Sequence, residues 1–322
     1  MPSIAIIGCG LIGETHAKCL AELGSSPKIF VDTDLARAIT FASAYGGIPF
    51  TDPKSAFLDK SIEAVYICTY HDTHASLAIE AARHGKHVFL EKPMALTAKE
   101  CHDIVDAVRE SNVICMTGFK LHYYSLAKKA KELIAHPLIL SAQVMDCRWP
   151  SDSWANDPVR GGGNVLSQGC HAIEMLYYLA GSRPIRIYAE GGNLHHPDNE
   201  IIDTMVATIG FESGAVASLT IGDAGEMPHD GKFVFQAMSG RATIHLYNRL
   251  TTLSYFDGER EHLFSNGEED GFLNESREFI QSLSEVRKPE TDEIDGMRAT
   301  LILLAGMESI RSHSPQSLEH LP

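Results

Sequence analysis

The chain has 322 residues, of which 44% are hydrophobic and 21% charged, and it carries a formal net charge of −15. This length suits two domains, and the composition suits a globular core. No run of about 18 apolar residues offers a membrane span, and so acidic a chain, without a local basic patch, is not expected to bind nucleic acid.

Seven cysteines lie scattered, an odd number without a Cys-x-x-Cys pair, so reduced core thiols are expected rather than a disulfide framework. Met1-Pro2-Ser3 leads straight into an apolar run, without the charged, hydrophobic and cleavage regions of a signal peptide; the expected location is the cytoplasm. Ser3–Ile7 reads as a buried strand. Gly8-Cys9-Gly10-Leu11-Ile12-Gly13 then opens a helix that closes at Gly24. A strand at Lys28–Val31 ends on Asp32, and a helix over Leu35–Tyr45 stops at Gly46-Gly47. Strands follow at Ala64–Cys68, His87–Leu90 and Val113–Met116, with helices at Ala75–His84 and behind the capping box Thr97-Ala98-Lys99-Glu100. Alternating strand and helix predicts a parallel sheet with crossover helices over residues 1–120.

The pattern changes after Phe119. A helix over Tyr124–Ala135 precedes strands at Ile139–Cys147, Ile185–Glu190, Thr204–Phe211, Ala215–Ile221, Phe233–Met238, Ala242–Leu246 and Thr252–Phe256. Helices are expected near 167–180, 271–285 and 296–311. Residues 121–322 therefore read as an α+β domain with a mainly antiparallel open sheet. No internal repeat or low-complexity segment interrupts the chain.

The first loop carries a specific chemistry. Gly8 permits a tight turn, Gly10 removes a side chain where a pyrophosphate must approach, and Gly13 lets helix and strand pack closely. Leu11 and Ile12 begin the helix whose free N–H groups face the phosphates. Asp32 lies 19 residues beyond Gly13, the place for a carboxylate that accepts from ribose hydroxyls. Residues 1–120 thus read as an α/β Rossmann dinucleotide-binding domain. Asp32 repels a 2′-phosphate and favours NAD, while the nearby Arg37 keeps NADP open.

Further residues carry a resemblance. Thr69–His74, Ala81-Ala82-Arg83-His84-Gly85-Lys86-His87-Val88, Glu91-Lys92-Pro93, and Gly161-Gly162-Gly163 followed by Gly169 and His171 resemble the glucose–fructose oxidoreductase / inositol dehydrogenase (Gfo/Idh/MocA) family over essentially the whole chain. The resemblance implies that Lys92 binds the substrate hydroxyl and tunes acid–base chemistry, and that His171 accepts the proton. It also implies that Thr69, His74, Glu91 and Lys92 line the dinucleotide. The family often has an aspartate four residues before the histidine; Ser167 stands there, followed by Gln168, and Glu174 replaces an aspartate three residues after it.

The residues themselves support such chemistry. Oxidising a secondary alcohol needs a hydride acceptor, which is the cofactor, and a proton acceptor, which the protein provides. Lys92 follows a strand at the carboxyl edge of the sheet, where an ammonium can hold a hydroxyl. His171 titrates near neutrality when unperturbed. Asn164, Ser167, Gln168, Trp154 and Tyr123 are candidate substrate contacts, and His122, Asp146, Arg148 and Trp149 lie in stretches that could face the cleft. No metal site is expected: Cys68, His71 and His74 read as strand end and loop beside the nucleotide, and His195-His196 as a solvated loop. The resemblance implies an NAD(P)-dependent dehydrogenase or reductase of a sugar, sugar acid or cyclitol, with residues 121–322 serving substrate binding and oligomerisation in a homo-oligomer (dimer or tetramer). Two other functions remain open. An NAD-retaining hydrolase of glycosidic bonds would release free sugar without net NADH. A non-catalytic dinucleotide-sensing regulator would have no use for both Lys92 and His171.

Overall fold

A computed structural model describes residues 1–226, 229–267 and 269–321. They form two units: Met1–Lys120 with Asp270–Met297, and Leu121–Glu269 with Arg298–Pro322.

In the first unit six parallel strands build one sheet. In chain order the elements are β1 (Ile4–Ile7), α1 (Leu11–Glu22), β2 (Ile29–Val31), α2 (Leu35–Tyr45), β3 (Ile48–Phe50), α3 (Lys54–Phe57), β4 (Ala64–Ile67), α4 (His71–Arg83), β5 (His87–Leu90), α5 (Ala98–Ser111) and β6 (Cys115–Thr117). The strand order is β3-β2-β1-β4-β5-β6. Strands β1 and β4 are buried at every position, as a sheet covered on both faces requires. The order reverses between β1 and β4, and the carboxyl ends there form the crevice where open α/β sheets bind ligands.

Sequence periodicity misses β3 and the single turn α3. β3 is three residues long and contains Pro49, which an edge strand tolerates because no inner neighbour needs its N–H. Helix α4 begins at His71 rather than Ala75. Its polar first turn hides the start, although Asp72 suits the positive end of a helix. His71 and His74 are therefore helical and buried, not loop residues. The capping box at α5 forms as expected, with Thr97 Oγ1 accepting from the Glu100 N–H and Glu100 Oε2 from the Thr97 N–H.

Asp270–Met297 belongs with this unit rather than with the second, where sequence continuity places it. It begins with a helix (Gly271–Glu285) capped by the Asp270 side chain, which accepts from the Phe272 N–H at 2.9 Å. Phe279 of that helix is fully buried, edge-on to Tyr66 and Phe89. Burying such a ring stabilises by about 1.5–3 kcal/mol. Thr291 then pairs with Thr117 through two 2.9 Å hydrogen bonds at the end of β6.

In the second unit α6 (Ser125–Leu133) and α7 (Gly163–Ala180) accompany β7 (Ile139–Cys147), β8 (Pro184–Gly192), β9 (Thr204–Phe211), β10 (Val216–Gly225), β11 (Phe233–Ser239), β12 (Ala242–Tyr247), β13 (Thr252–Phe256) and β14 (Glu261–Ser265). The helix after Asp270 is α8; α9 (Glu293–Ser312) and β15 (Gln316–Ser317) end the chain. Nine strands run β14-β13-β12-β11-β7-β10-β9-β8-β15. Only β7 and β10 pair in parallel; the other pairings are antiparallel. Met205, Ala207, Ile209 and Phe211 of β9 point inward, and Val206 and Thr208 outward. The short edge strands β14 and β15 escape sequence periodicity. Helix α7 starts four residues before the expected position, inside the glycine run. It lies close on the sheet because a Cβ at Gly169 would come within 2.6 Å of Ile221 and 3.0 Å of Leu303. None of the seven cysteines is in a disulfide. Among the described residues no helix is long and apolar enough to cross a membrane.

Candidate active site

The glycine loop occupies the β1–α1 turn at the strand-order reversal. Gly8 has φ +99°, and a Cβ there would lie 2.5 Å from the Cys68 carbonyl oxygen. A Cβ at Gly13 would lie 2.0 Å from the Gly8 carbonyl oxygen, so both positions are dictated by the protein's own packing. Gly10 differs: a Cβ there would meet nothing within 4 Å. Fold packing does not require glycine at that position, whereas a diphosphate lying on the loop would. Gly10 is the N-cap of α1 and provides no side-chain cap, so the first-turn N–H groups, at Leu11, Ile12 and Gly13, point outward as donors. Leu11 is exposed and Ile12 half-buried at this entrance.

Asp32 secures the loop from the second strand. Its Oδ2 accepts from the Cys9 N–H at 2.8 Å and its Oδ1 from the Asp34 N–H at 2.9 Å. Each oxygen keeps capacity for a further donor such as a ribose hydroxyl. Burial and then the Asp32 charge push the Cys9 thiol up to about 12, so it is no nucleophile. Arg37 projects from α2 with its side chain 58% exposed, and its Nε lies 3.6 Å from Asp34 Oδ2. These residues fit a dinucleotide, with the phosphates at the N-terminus of α1 and the ribose at Asp32.

The end of β5 brings Glu91 and Lys92 to the same carboxyl edge. Glu91 is buried and Lys92 half-buried. Glu91 Oε1 accepts from His16 Nε2 at 2.9 Å, and Oε2 from the Lys92 N–H at 3.1 Å. Burial pushes the Glu91 carboxyl up, but the His16 hydrogen bond and charge and the Lys92 and Lys120 ammoniums outweigh it and hold it below the usual range. The following cis peptide, Lys92–Pro93, is anchored by His74, whose Nδ1 donates to the Pro93 carbonyl at 2.8 Å. Burial pushes the His74 pKa down against those backbone bonds, which favours the neutral ring. Thr69 accepts from Thr73 Oγ1 at 2.7 Å on the neighbouring turn. Thr69, His74, Glu91 and Lys92 are thus gathered at the ends of β4 and β5.

The second unit builds its own polar constellation. His171 is buried on α7, its ring edge-on to Phe233 at 5.7 Å. Asn164 is fully buried and neither polar atom of its amide has a protein partner. Gln168 Nε2 donates to Ser167 Oγ at 3.2 Å. Glu174 pairs with His122 Nδ1 at 2.7 Å. Trp154 stands 38% exposed on a single 3-10 turn, whereas Tyr123 is only 4% exposed.

The reading of His195-His196 as a solvated loop is corrected for His196, which is buried against Asp223 at 2.8 Å. Asp203 makes this possible by accepting from the Leu194, His195 and His196 N–H groups. Burial works against the Asp203 charge, but these bonds and Thr204 hold its carboxyl below the usual range. Asp223 also accepts the Trp149 N–H at 3.0 Å, and Trp149 Nε1 donates to Asp146, which pairs with Lys232. Asp223 sits where β10 slips register between Gly222 and Gly225, a bulge that re-aims its side chain.

Sequence inspection passed over His16, Glu275, Asp203, Asp223 and Lys232. A signal existed for two of them. His16 lies on the apolar face of α1 with Ala17 and Leu20, and Glu275 sits on the buried stripe of α8 between Phe272 and Phe279. The other three become visible only once strands pair.

Comparison with known proteins adds to this geometry. The family described as "Oxidoreductase family, NAD-binding Rossmann fold" matches residues 3–119, and the "GFO/IDH/MocA C-terminal domain" matches residues 130–243. The chain is 26% identical to a myo-inositol 2-dehydrogenase of Thermotoga maritima, over 99% of each chain. It is 27% identical to a 2,7-anhydro-N-acetylneuraminate hydratase of Escherichia coli, over 71% of this chain and 63% of that one. A levoglucosan dehydrogenase solved with NADH superposes with a TM-score of 0.89 at 23% identity, over 100% and 99% of the two chains.

Proposed function

From the premise that the chain belongs to the GFO/IDH/MocA oxidoreductase family, an NAD(P)-dependent dehydrogenase acting on CH–OH groups, we propose that it oxidises a secondary alcohol of a sugar, sugar acid or cyclitol, or runs the reverse reduction. We further propose that Lys92 and His171 do the acid–base work. The observation that carries this reading is the glycine loop with open space at Gly10, sharing one sheet edge with Lys92.

The dinucleotide, when bound, supplies the hydride acceptor. The Gly10–Gly13 backbone holds its phosphates and Asp32 its ribose hydroxyls. The Nζ–H of Lys92 donates to the substrate oxygen and stabilises negative charge as the O–H bond breaks. A ring nitrogen of His171 takes that proton. With Ser167 in place of a carboxylate, the imidazole has no charged neighbour one turn before it on α7; Ser167 and Gln168 then offer hydrogen bonds to substrate. Trp154 and Asn164 complete the proposed contacts. Asp32 favours NAD, with NADP the alternative. The exposed neighbours Met238, Ile139 and Val216, aligned across β11, β7 and β10, support a homo-oligomer paired through this sheet.

A screen of cyclitols, aldoses and sugar acids with NAD and NADP, followed by absorbance of the reduced nicotinamide, tests the activity. Oxidation of a cyclitol or sugar is expected. Conversion of an anhydro or glycosidic sugar without net NADH would favour cofactor-retaining chemistry, for which the hydratase relative is the supporting observation.

A further inference from the structure

We propose that Glu275 is a neutral acid packed against the Glu91–His16 pair, so that this buried cluster keeps a single negative charge, on Glu91, at the Glu91-Lys92-Pro93 turn. The inference rests on the reading of Lys92 as catalytic.

Glu275 comes from α8, which is remote in sequence from that turn. It is fully buried, and neither carboxyl oxygen has a protein hydrogen-bond partner. A ring nitrogen of His16 and one carboxyl oxygen each of Glu91 and Glu275 nevertheless lie within 4.8 Å of one another. The two carboxyls are therefore unequal. Glu91 accepts from the His16 ring and from the Lys92 N–H, while Glu275 has no donor. An ionised carboxylate that is buried without donors, beside a second carboxylate, is the costlier place for charge. The His16 ring that binds Glu91 is itself packed among Tyr66, Phe89 and Phe272 at 5.2, 4.8 and 5.5 Å.

The charged and titratable groups facing Glu275 are His16 and Cys19 on α1, Tyr66 and Cys68 at β4, Glu91 and Lys92 after β5, Lys120, and Asp270 at the start of its own helix. Burial, and then the Glu91 charge, raise the Glu275 carboxyl well above the usual range, with Lys120 and Lys92 opposing. The proton stays on Glu275, and of the two carboxyls Glu91 carries the charge. Gly118, after β6, leaves room for this carboxylate: a Cβ there would come 3.3 Å from Glu91 Oε1.

Two measurements on the NAD-saturated protein test this. In protein labelled with 13C-carboxyl glutamate, infrared spectra at pH 8 should contain a protonated-acid carbonyl band that disappears in Glu275→Gln. A Glu293→Gln background removes the other glutamate raised by burial. Absence of the band in the wild type, or its survival in Glu275→Gln, overturns the proposal. If that variant does not fold, Glu275→Met is used in its place. The second measurement is the titration of the Lys92 amine, followed by NMR after reductive 13C-methylation and assigned by loss of its signal in Lys92→Arg. Glu275→Gln should leave the Lys92 midpoint within about 0.3 pH unit, and Glu91→Gln should lower it by about one unit. An equal drop in both variants would mean that Glu275 carries charge. Neither readout depends on turnover, so a failed catalytic role for Lys92 would show separately, as activity retained in Lys92→Ala.

Discussion

The two units place their function on different parts of the chain. In the first, the proposed cofactor seat is mostly backbone: glycines that leave room, the N–H groups of one helix end, and a carboxylate that steadies the loop. In the second, side chains of β7, β10, Lys232 and the 194–196 turn are joined by hydrogen bonds and ion pairs, and α7 adds its own buried polar residues. A backbone site requires particular residues at fixed local spacing and so can be read from a motif. A side-chain site depends on strand pairing across long sequence separations and leaves little local trace.

That contrast can be broken or sharpened by experiment. The largest effect is expected at Lys92, a side chain on the backbone-built edge. Lys92→Ala should lower kcat by about 10³-fold or more, while NAD affinity by fluorescence titration changes less than about threefold; a parallel loss of NAD binding would make Lys92 part of the seat instead. Next comes the buried pair of the second unit. Asp223→Asn removes the carboxylate that accepts the Trp149 N–H and holds His196, and should destabilise by about 3 kcal/mol in denaturant unfolding. The cost should shrink in the double variant with His196→Phe.

The glycines give a smaller effect that separates two causes. Gly13→Ala should cost about 1–3 kcal/mol, since its methyl would meet the Gly8 carbonyl. Gly10→Val should leave the melting temperature nearly unchanged and weaken NAD binding instead. Equal effects of both substitutions would erase the distinction between a packed and an open position. The smallest effect concerns acid stability. Asp203 titrates lower in the folded state than in the unfolded chain, so its contribution is fully present above about pH 3.9 and is lost as pH falls through its folded value. The stability gap between wild type and Asp203→Asn should therefore narrow in acid; a gap that widens there would reverse the sign.

Much of the first unit was legible in the sequence. The apolar run Ile4–Ile7, the spacing of Gly8, Gly10 and Gly13, Asp32, and the capping box at Thr97 each act locally, so composition and spacing suffice. The β3 edge escaped because three residues around a proline make no pattern. The placement of α8 escaped because it is set by Phe279 packing on Tyr66 and Phe89, some two hundred residues away in sequence. Lys92 and His171 were singled out by resemblance together with strand-end and helical position. Asp223 and His196 carried no such sign: one gains its role from a bulge, the other from a turn that Asp203 organises.

The most direct test is a crystal structure of the protein with NAD and a bound polyol. The diphosphate should lie on the Gly10–Gly13 backbone, with Lys92 Nζ and a ring nitrogen of His171 both within hydrogen-bond reach of the hydroxyl facing the nicotinamide. A diphosphate bound elsewhere, or a reacting hydroxyl reached by neither group, would contradict the account.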